Sequence, residues 1–140
     1  MENAKNPASV SLMKKYSFDI AGVPAAHTIT ALGCPFTCHF CESGLESVRT
    51  FSSEMINLDL QAISSAQDEL GYRKKAVMFF DDVGLMSPKQ VERLSKIVEK
   101  AQFNTWRAFT HAYLLVRHKE LLLRPFTDTG GRRIGIGLET

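Results

Sequence analysis

Segments typical of β-strands alternate with segments typical of α-helices along this 140-residue chain, and this alternation most constrains its fold. A continuous apolar run at Ala76–Phe80 is typical of a strand buried on both faces. Three further β-prone runs are predicted to form strands, at Thr28–Leu32, Thr105–Thr110 and Ile134–Leu138. The runs that start at Ala76, Thr105 and Ile134 are separated by intervals close to the roughly 30 residues of a strand–helix–strand unit.

Helical periodicity fills the intervals between these runs. Apolar residues repeat at helical spacing within Glu54–Leu70, and Ser87-Pro88 supplies a favoured N-cap and first-turn residue for a second helix. Tyr113–Leu123 predicts a third helix, which ends before Gly130-Gly131. The order β-α-β-α-β-α-β predicts an α/β fold with a parallel sheet and right-handed crossover connections.

Composition and charge exclude several classes of protein. With 17 basic and 15 acidic residues the net charge is +2, so no strong field favours nucleic acid or a membrane surface. The sequence has no signal-peptide pattern and no run of 18 apolar residues, so we expect a cytoplasmic protein. Residues 1–26 are weakly patterned and are predicted to be a leader or linker, with a short amphipathic piece near Val10–Tyr16.

Polar or metal-binding groups follow each predicted strand. The first strand is followed by a cysteine-rich loop, the second by Asp81-Asp82, the third by His111 and the fourth by Glu139. Parallel α/β folds bind ligands beyond the carboxyl ends of their strands, so these groups are predicted to converge on one rim. The sequence therefore predicts an enzyme site at this rim.

All three cysteines of the chain, Cys34, Cys38 and Cys41, lie in the loop after the first strand with C-x₃-C-x₂-C spacing. An odd, tightly clustered set is a poor disulfide framework, whereas three thiolates on one loop can hold a soft metal centre with one position open. A zinc site is the alternative. His39 is adjacent to Cys38 and is expected to be a loop residue rather than a fourth ligand.

The segment Cys34–Cys41 resembles the signature of radical S-adenosylmethionine (radical SAM) enzymes, including the aromatic residue Phe40 before the last cysteine. The resemblance implies that the three cysteines ligate a [4Fe–4S] cluster, whose fourth iron takes S-adenosylmethionine. It also implies that Phe40 lies near the adenine. Phe80-Asp81-Asp82-Val83 is similar to the Asp-containing form seen in cobalamin-associated and methylthiolating branches, which implies that Asp81 and Asp82 bind the cofactor. Glu139 in Gly137-Leu138-Glu139-Thr140 resembles the carboxylate that those branches place after the fourth strand, and is implied to bind the cofactor as well.

The resemblance implies a TIM-like (β/α) barrel. A complete barrel of this kind takes about 250 residues, so residues 27–140 are expected to be the N-terminal portion, a partial barrel of about four parallel strands and three crossover helices. The C-terminal part is then expected to be missing and the isolated chain to be poorly stable. A cobalamin cofactor is possible but would not be encoded in this chain.

The activity implied by the resemblance is reductive cleavage of S-adenosylmethionine, which starts radical chemistry on an unknown substrate. An electron donor of the flavodoxin or ferredoxin type is the expected partner, with neither nucleic acid nor membrane involved. The alternative is a non-catalytic fragment that binds zinc or an iron–sulfur centre. That alternative rests on the early end of the chain after the fourth strand, which would leave an unpaired strand edge.

Overall fold

The computed structural model describes residues 13–15, 18–42 and 47–138. Seven strands and three helices follow one another in this part of the chain. The strands are β1 (Asp19–Ile20), β2 (Val23–Thr28), β3 (Ala31–Leu32), β4 (Arg49–Thr50), β5 (Ala76–Phe79), β6 (Thr105–His111) and β7 (Gly131–Gly137). The helices are α1 (Ser53–Glu69), α2 (Pro88–Lys100) and α3 (Ala112–Asp128).

The main sheet has five strands in the order β1-β2-β5-β6-β7, and β3 and β4 form a separate two-stranded antiparallel sheet. Strands β2, β5, β6 and β7 run parallel to one another, whereas β1 pairs antiparallel with β2. The reversal between β1 and β2 occurs at Ala21 and Gly22, both with positive φ (53° and 79°), the pattern of a two-residue hairpin turn. The Asp19 carboxylate accepts a hydrogen bond of 2.8 Å from the Gly22 amide and holds this turn.

The prediction of a partial TIM-like barrel built from about four parallel strands is therefore wrong. The sheet is mixed and five-stranded, and its order leaves β1 and β7 at the two edges. The first parallel strand is Val23–Thr28, not Thr28–Leu32, because the segment after Thr28 leaves the sheet and pairs with β4 instead. Sequence periodicity missed β1 because two residues are too few to show a pattern.

Local capping explains where the three helices begin. The hydroxyl of Ser52 accepts a hydrogen bond from the Met55 amide at the start of α1, and that of Ser87 accepts one from Gln90 at the start of α2. Helix α3 is capped differently, since the His111 imidazole accepts from the Tyr113 amide at 3.1 Å. The predicted helices thus exist, and α3 continues to Asp128 across a break in helical geometry at His118.

The helices pack on one face of the main sheet and form the principal core. Its largest fully buried side chains include Trp106 and Phe79, whose rings meet edge to face at 5.6 Å. Phe126 of α3 packs against Trp106 at 4.6 Å. Gly131 makes this contact possible, because a Cβ atom there would lie 2.4 Å from the Phe126 ring.

The opposite face of the sheet carries a smaller cluster near the starts of the strands. Ile20, Ala25, Ala76 and Met78 are buried in it, with Phe109 packed at its margin. Beyond this cluster the face is more open, and the Phe80 side chain at the end of β5 is 61% exposed. Within the described residues, no helix is long and apolar enough to cross a bilayer.

Candidate functional site at the strand ends

The loop after β3, the loop after β5 and the end of β6 meet at the carboxyl ends of the parallel strands, where α/β folds bind ligands. We define this rim by Cys34, Phe36, Asp82, His111 and Tyr113. The Phe36 ring stacks on the His111 imidazole with centroids 4.3 Å apart and meets the Tyr113 ring edge to face at 6.4 Å. The loop between β3 and β4, which carries Phe36, therefore lies across the end of β6 and the first turn of α3.

Asp81 is the most deeply buried carboxyl group at the strand ends, with 4% of its surface exposed. Its Oδ1 accepts hydrogen bonds from the Thr30 amide at 2.5 Å and the Ala31 amide at 3.2 Å, and its Oδ2 accepts from the Thr30 hydroxyl. Burial raises the pKa of this carboxyl above its ordinary value, although the three hydrogen bonds oppose the rise. Asp81 thus joins the end of β5 to the turn between β2 and β3.

The loop after β5 is fixed to β6 on its other side. The Leu85 amide donates to the Phe109 carbonyl at 2.9 Å, and the Thr110 hydroxyl donates to the Leu85 carbonyl at the same distance. Gly84 lies against Asp81, where a Cβ atom would come within 3.2 Å of Oδ2. These contacts hold the adjacent Asp82, which is exposed, at a fixed place on the rim.

The three cysteines do not form the predicted metal site. Within residues 13–15, 18–42 and 47–138 no group of three or more His, Cys, Asp or Glu side chains could hold a metal ion. Cys34 packs against the principal core, whereas Cys41 is exposed, so these thiols lie in different environments. Burial, together with the nearby Asp82 carboxylate, raises the pKa of the Cys34 thiol.

The other predicted cofactor-binding residues occupy contrasting places. Phe40 lies in a turn with 75% of its side chain exposed, and Asp82 is exposed at the rim. Asp81 faces the chain's own Thr30 and Ala31 donors rather than the open side of the rim. Glu139 lies outside the described residues.

Sequence reasoning missed two aromatic residues at the rim, Phe36 and Tyr113. Phe36 lies inside the cysteine motif, whose resemblance pointed to Phe40 instead, and Tyr113 was predicted only as a helix residue. His111 was recognised as a residue that follows a strand, and the structure adds its stacking on Phe36. Thr30 was also missed, because its contact with Asp81 joins residues 51 positions apart.

Comparison with known proteins gives one informative likeness. The chain is 26% identical over 129 residues to an uncharacterized methyltransferase from Pyrococcus horikoshii. The match covers 91% of this chain and 27% of that protein, so the chain spans about a quarter of the length of the relative. No protein-family model and no solved structure matches the chain.

These findings overturn the assignment to the radical SAM family. The relative is named a methyltransferase, no model of a radical SAM family matches, and the described cysteines form no metal-binding group. The predicted [4Fe–4S] cluster is therefore wrong, and so is the alternative of a zinc- or iron–sulfur-binding fragment. The predicted reductive cleavage depended on that cluster and the cobalamin link depended on the family assignment, so both are corrected as well.

Proposed function

We propose that this chain forms part of a methyltransferase and that its rim binds the methyl donor S-adenosylmethionine. The likeness to a methyltransferase over 91% of the chain is the observation that carries this proposal. The position of the rim supports it, because the carboxyl ends of parallel strands are the usual ligand-binding edge of such sheets. S-adenosylmethionine would supply an activated methyl group on a sulfonium centre.

The charge of the donor matches the acidic group at the rim. S-adenosylmethionine carries a positive sulfonium and a positive amino group, and Asp82 presents an exposed carboxyl at the strand ends. Asp81 holds the loop that carries Asp82 through its hydrogen bonds to Thr30 and Ala31, and so acts as a positioning residue. Opposite charges in a partly enclosed site attract more strongly than in bulk water.

Exposed aromatic side chains belong to the rim and to the loop that carries Phe36. The Tyr113 side chain is 50% exposed and belongs to the stack with Phe36 and His111. Phe40 is more exposed and lies in the same loop as Phe36. An exposed ring can stack on adenine or contact a sulfonium cation through its π face. We assign Tyr113 and Phe40 to the adenosyl part of the donor, while Glu139 remains a predicted contact.

Equilibrium dialysis of the full chain against radiolabelled S-adenosylmethionine tests the proposal. We expect saturable binding, which Asp82→Asn weakens by roughly tenfold, the effect of losing about 1.4 kcal/mol. The single variant Tyr113→Ala is also expected to weaken binding of S-adenosylmethionine, since the ring supplies apolar contact area.

Glu99→Gln is the matched control for Asp82→Asn, because Glu99 is an exposed carboxylate at the end of α2, away from the strand ends. Its binding curve should coincide with that of the unchanged protein. Absence of saturable binding, or equal losses in Asp82→Asn and Glu99→Gln, would refute the assignment of the donor to the rim.

A further inference from the structure

The sheet face opposite the helices carries connected aromatic rings and an arginine that the rim does not use. We call it the open face and define it by Phe18, His27, Phe80, Arg107 and Phe109. His27 lies 4.5 Å from Phe18 and 6.0 Å from Phe80, measured between ring centroids. Phe80 meets Phe109 edge to face at 5.8 Å, and the Arg107 guanidinium lies 5.1 Å from the Phe109 ring centre.

Arg107 has an unmet hydrogen-bonding capacity on this face. Its Nε atom is buried and has no hydrogen-bond partner among the described residues. Buried polar groups in native proteins are almost always satisfied, and a charged donor without a partner is especially costly. The cation–π contact with Phe109 orients the guanidinium but gives its N–H groups no acceptor oxygen.

A second arginine lies beside the first. Arg133 of β7 is the register partner of Arg107, so both side chains belong to the same face of the sheet. Neither forms an ion pair within the part of the chain that the structure describes. Like charges on paired strand positions repel each other, and an anion held between them removes the repulsion.

The position of the Phe109 ring depends on a glycine in β7. Gly135 is the register partner of Phe109, and a Cβ atom there would lie 2.2 Å from the Phe109 ring. The absence of a side chain at Gly135 therefore lets the Phe109 ring lie close to β7. Beside it, Phe80 keeps 61% of its surface exposed, so apolar area remains open next to the Phe109 ring on which the guanidinium lies.

His27 adds a group that is uncharged near neutral pH. Its partial burial, and secondarily the charge of Arg107, lowers the pKa of the imidazole below its ordinary value. The positive charge at this face is thus concentrated on Arg107 and on its register partner Arg133. The guanidinium fork of arginine matches the paired oxygens of a carboxylate or phosphate.

We propose that the open face binds a small molecule that combines a planar ring with an oxyanion, the oxyanion on Arg107 and Arg133 and the ring against Phe80. The shared chemistry is an oxyanion, either a carboxylate or a phosphate ester. If the chain belongs to a methyltransferase, this ligand is the methyl acceptor, and that role rests on the proposed function. Binding to the open face does not depend on it.

The test follows the Arg107 Nε–H resonance of the ¹⁵N-labelled full chain during titration with benzoate, phenyl phosphate, benzyl alcohol and inorganic phosphate. We expect a saturable shift with at least one of the two ring-bearing anions and none with neutral benzyl alcohol. Inorganic phosphate, which has no ring, should bind at least roughly tenfold more weakly than phenyl phosphate. The stronger of benzoate and phenyl phosphate identifies the carboxylate or the phosphate as the preferred group.

Variants separate the fork from the charge. Arg107→Lys keeps the charge but loses the planar fork, and should weaken binding of the ring-bearing anion roughly tenfold. Binding to variants is followed through the His27 resonances. Arg124→Gln is the matched control, because Arg124 lies on α3 and is 82% exposed, and it should bind like the unchanged chain.

Several results would overturn the proposal: no saturable shift with either anion, equal binding of benzyl alcohol, or unchanged binding in Arg107→Lys. A dimer in sedimentation experiments that Phe80→Ala dissociates would also overturn it, since a second copy would then cover the face. Binding of S-adenosylmethionine is measured separately. If S-adenosylmethionine does not bind but the ring-bearing anion does, only the methyl-donor site is refuted. If S-adenosylmethionine binds but the anion does not, only the oxyanion site is refuted.

Discussion

Replacing Asp81 tests whether this carboxyl acts as the acceptor that holds the strand ends together. Asp81→Ala removes the acceptor of the Thr30 and Ala31 amides, whose residues are 0% and 2% exposed. Each buried donor left without a partner costs about 1–3 kcal/mol. We expect a loss of about 3 kcal/mol in the free energy of unfolding, because water admitted to the new cavity satisfies part of the deficit. Urea denaturation followed by fluorescence of the single, fully buried Trp106 measures this loss.

Asp81→Asn is the matched control for that experiment. Its amide oxygen can still accept from both amides, and its NH₂ group can donate to the Thr30 hydroxyl, so we expect a change below about 1 kcal/mol. A loss below about 1 kcal/mol in Asp81→Ala, or equal losses in the two variants, would refute the acceptor role.

The two Asp81 proteins should also differ in their dependence on pH. Because burial raises the pKa of the folded carboxyl, the group's contribution to stability is complete below its ordinary pKa and declines as pH rises through the raised one. Asp81→Asn does not titrate and lacks this decline. Its stability relative to the unchanged protein should therefore increase between about pH 4 and about pH 7. The opposite trend would show that the hydrogen bonds outweigh burial.

Three further outcomes are expected. Cys41 should react with iodoacetamide faster than Cys34, because Cys41 is exposed while burial raises the pKa of the Cys34 thiol. Peptide mass spectrometry measures both rates, and equal rates would contradict this prediction. In Arg107→Gln the pKa of His27 should rise, since one of the two causes that lower it is removed, and an unchanged NMR titration would contradict the contact. Ser87→Ala should lower the free energy of unfolding by about 1 kcal/mol through loss of the α2 cap, as measured by urea denaturation.

Helices and buried strands were predictable because their signals are local. The apolar periodicity of α1 indicates which of its residues face the core, and the pair Ser87-Pro88 marks the start of α2. The apolar run that begins at Ala76 corresponds to the fully buried β5. The turn that creates β1 was not predictable in the same way. Ala21 adopts a positive φ that few non-glycine residues take, and the strand before the turn has only two residues.

The candidate site was predictable as a set of positions but not as a set of contacts. Residues at the carboxyl ends of parallel strands gather at one edge of the sheet, so the position of Asp81-Asp82 and His111 at this edge follows from topology alone. Cysteine spacing, by contrast, suggested a metal centre that the described structure does not form, with Cys34 packed inward and Cys41 exposed. Spacing along a loop does not determine side-chain direction, which depends on what each residue packs against.

The amino-acid sequence by itself determined the three helices, the strands β5, β6 and β7, and the end of the sheet at which polar groups collect, because these depend on periodicity and on chain direction. Tertiary structure alone decided that Asp81 joins β5 to Thr30, that Phe36 stacks on His111, and that Arg107 and Arg133 share one face. The physical reason is distance along the chain. These partners are separated by 51, 75 and 26 residues respectively, and no local pattern encodes which distant groups packing brings together.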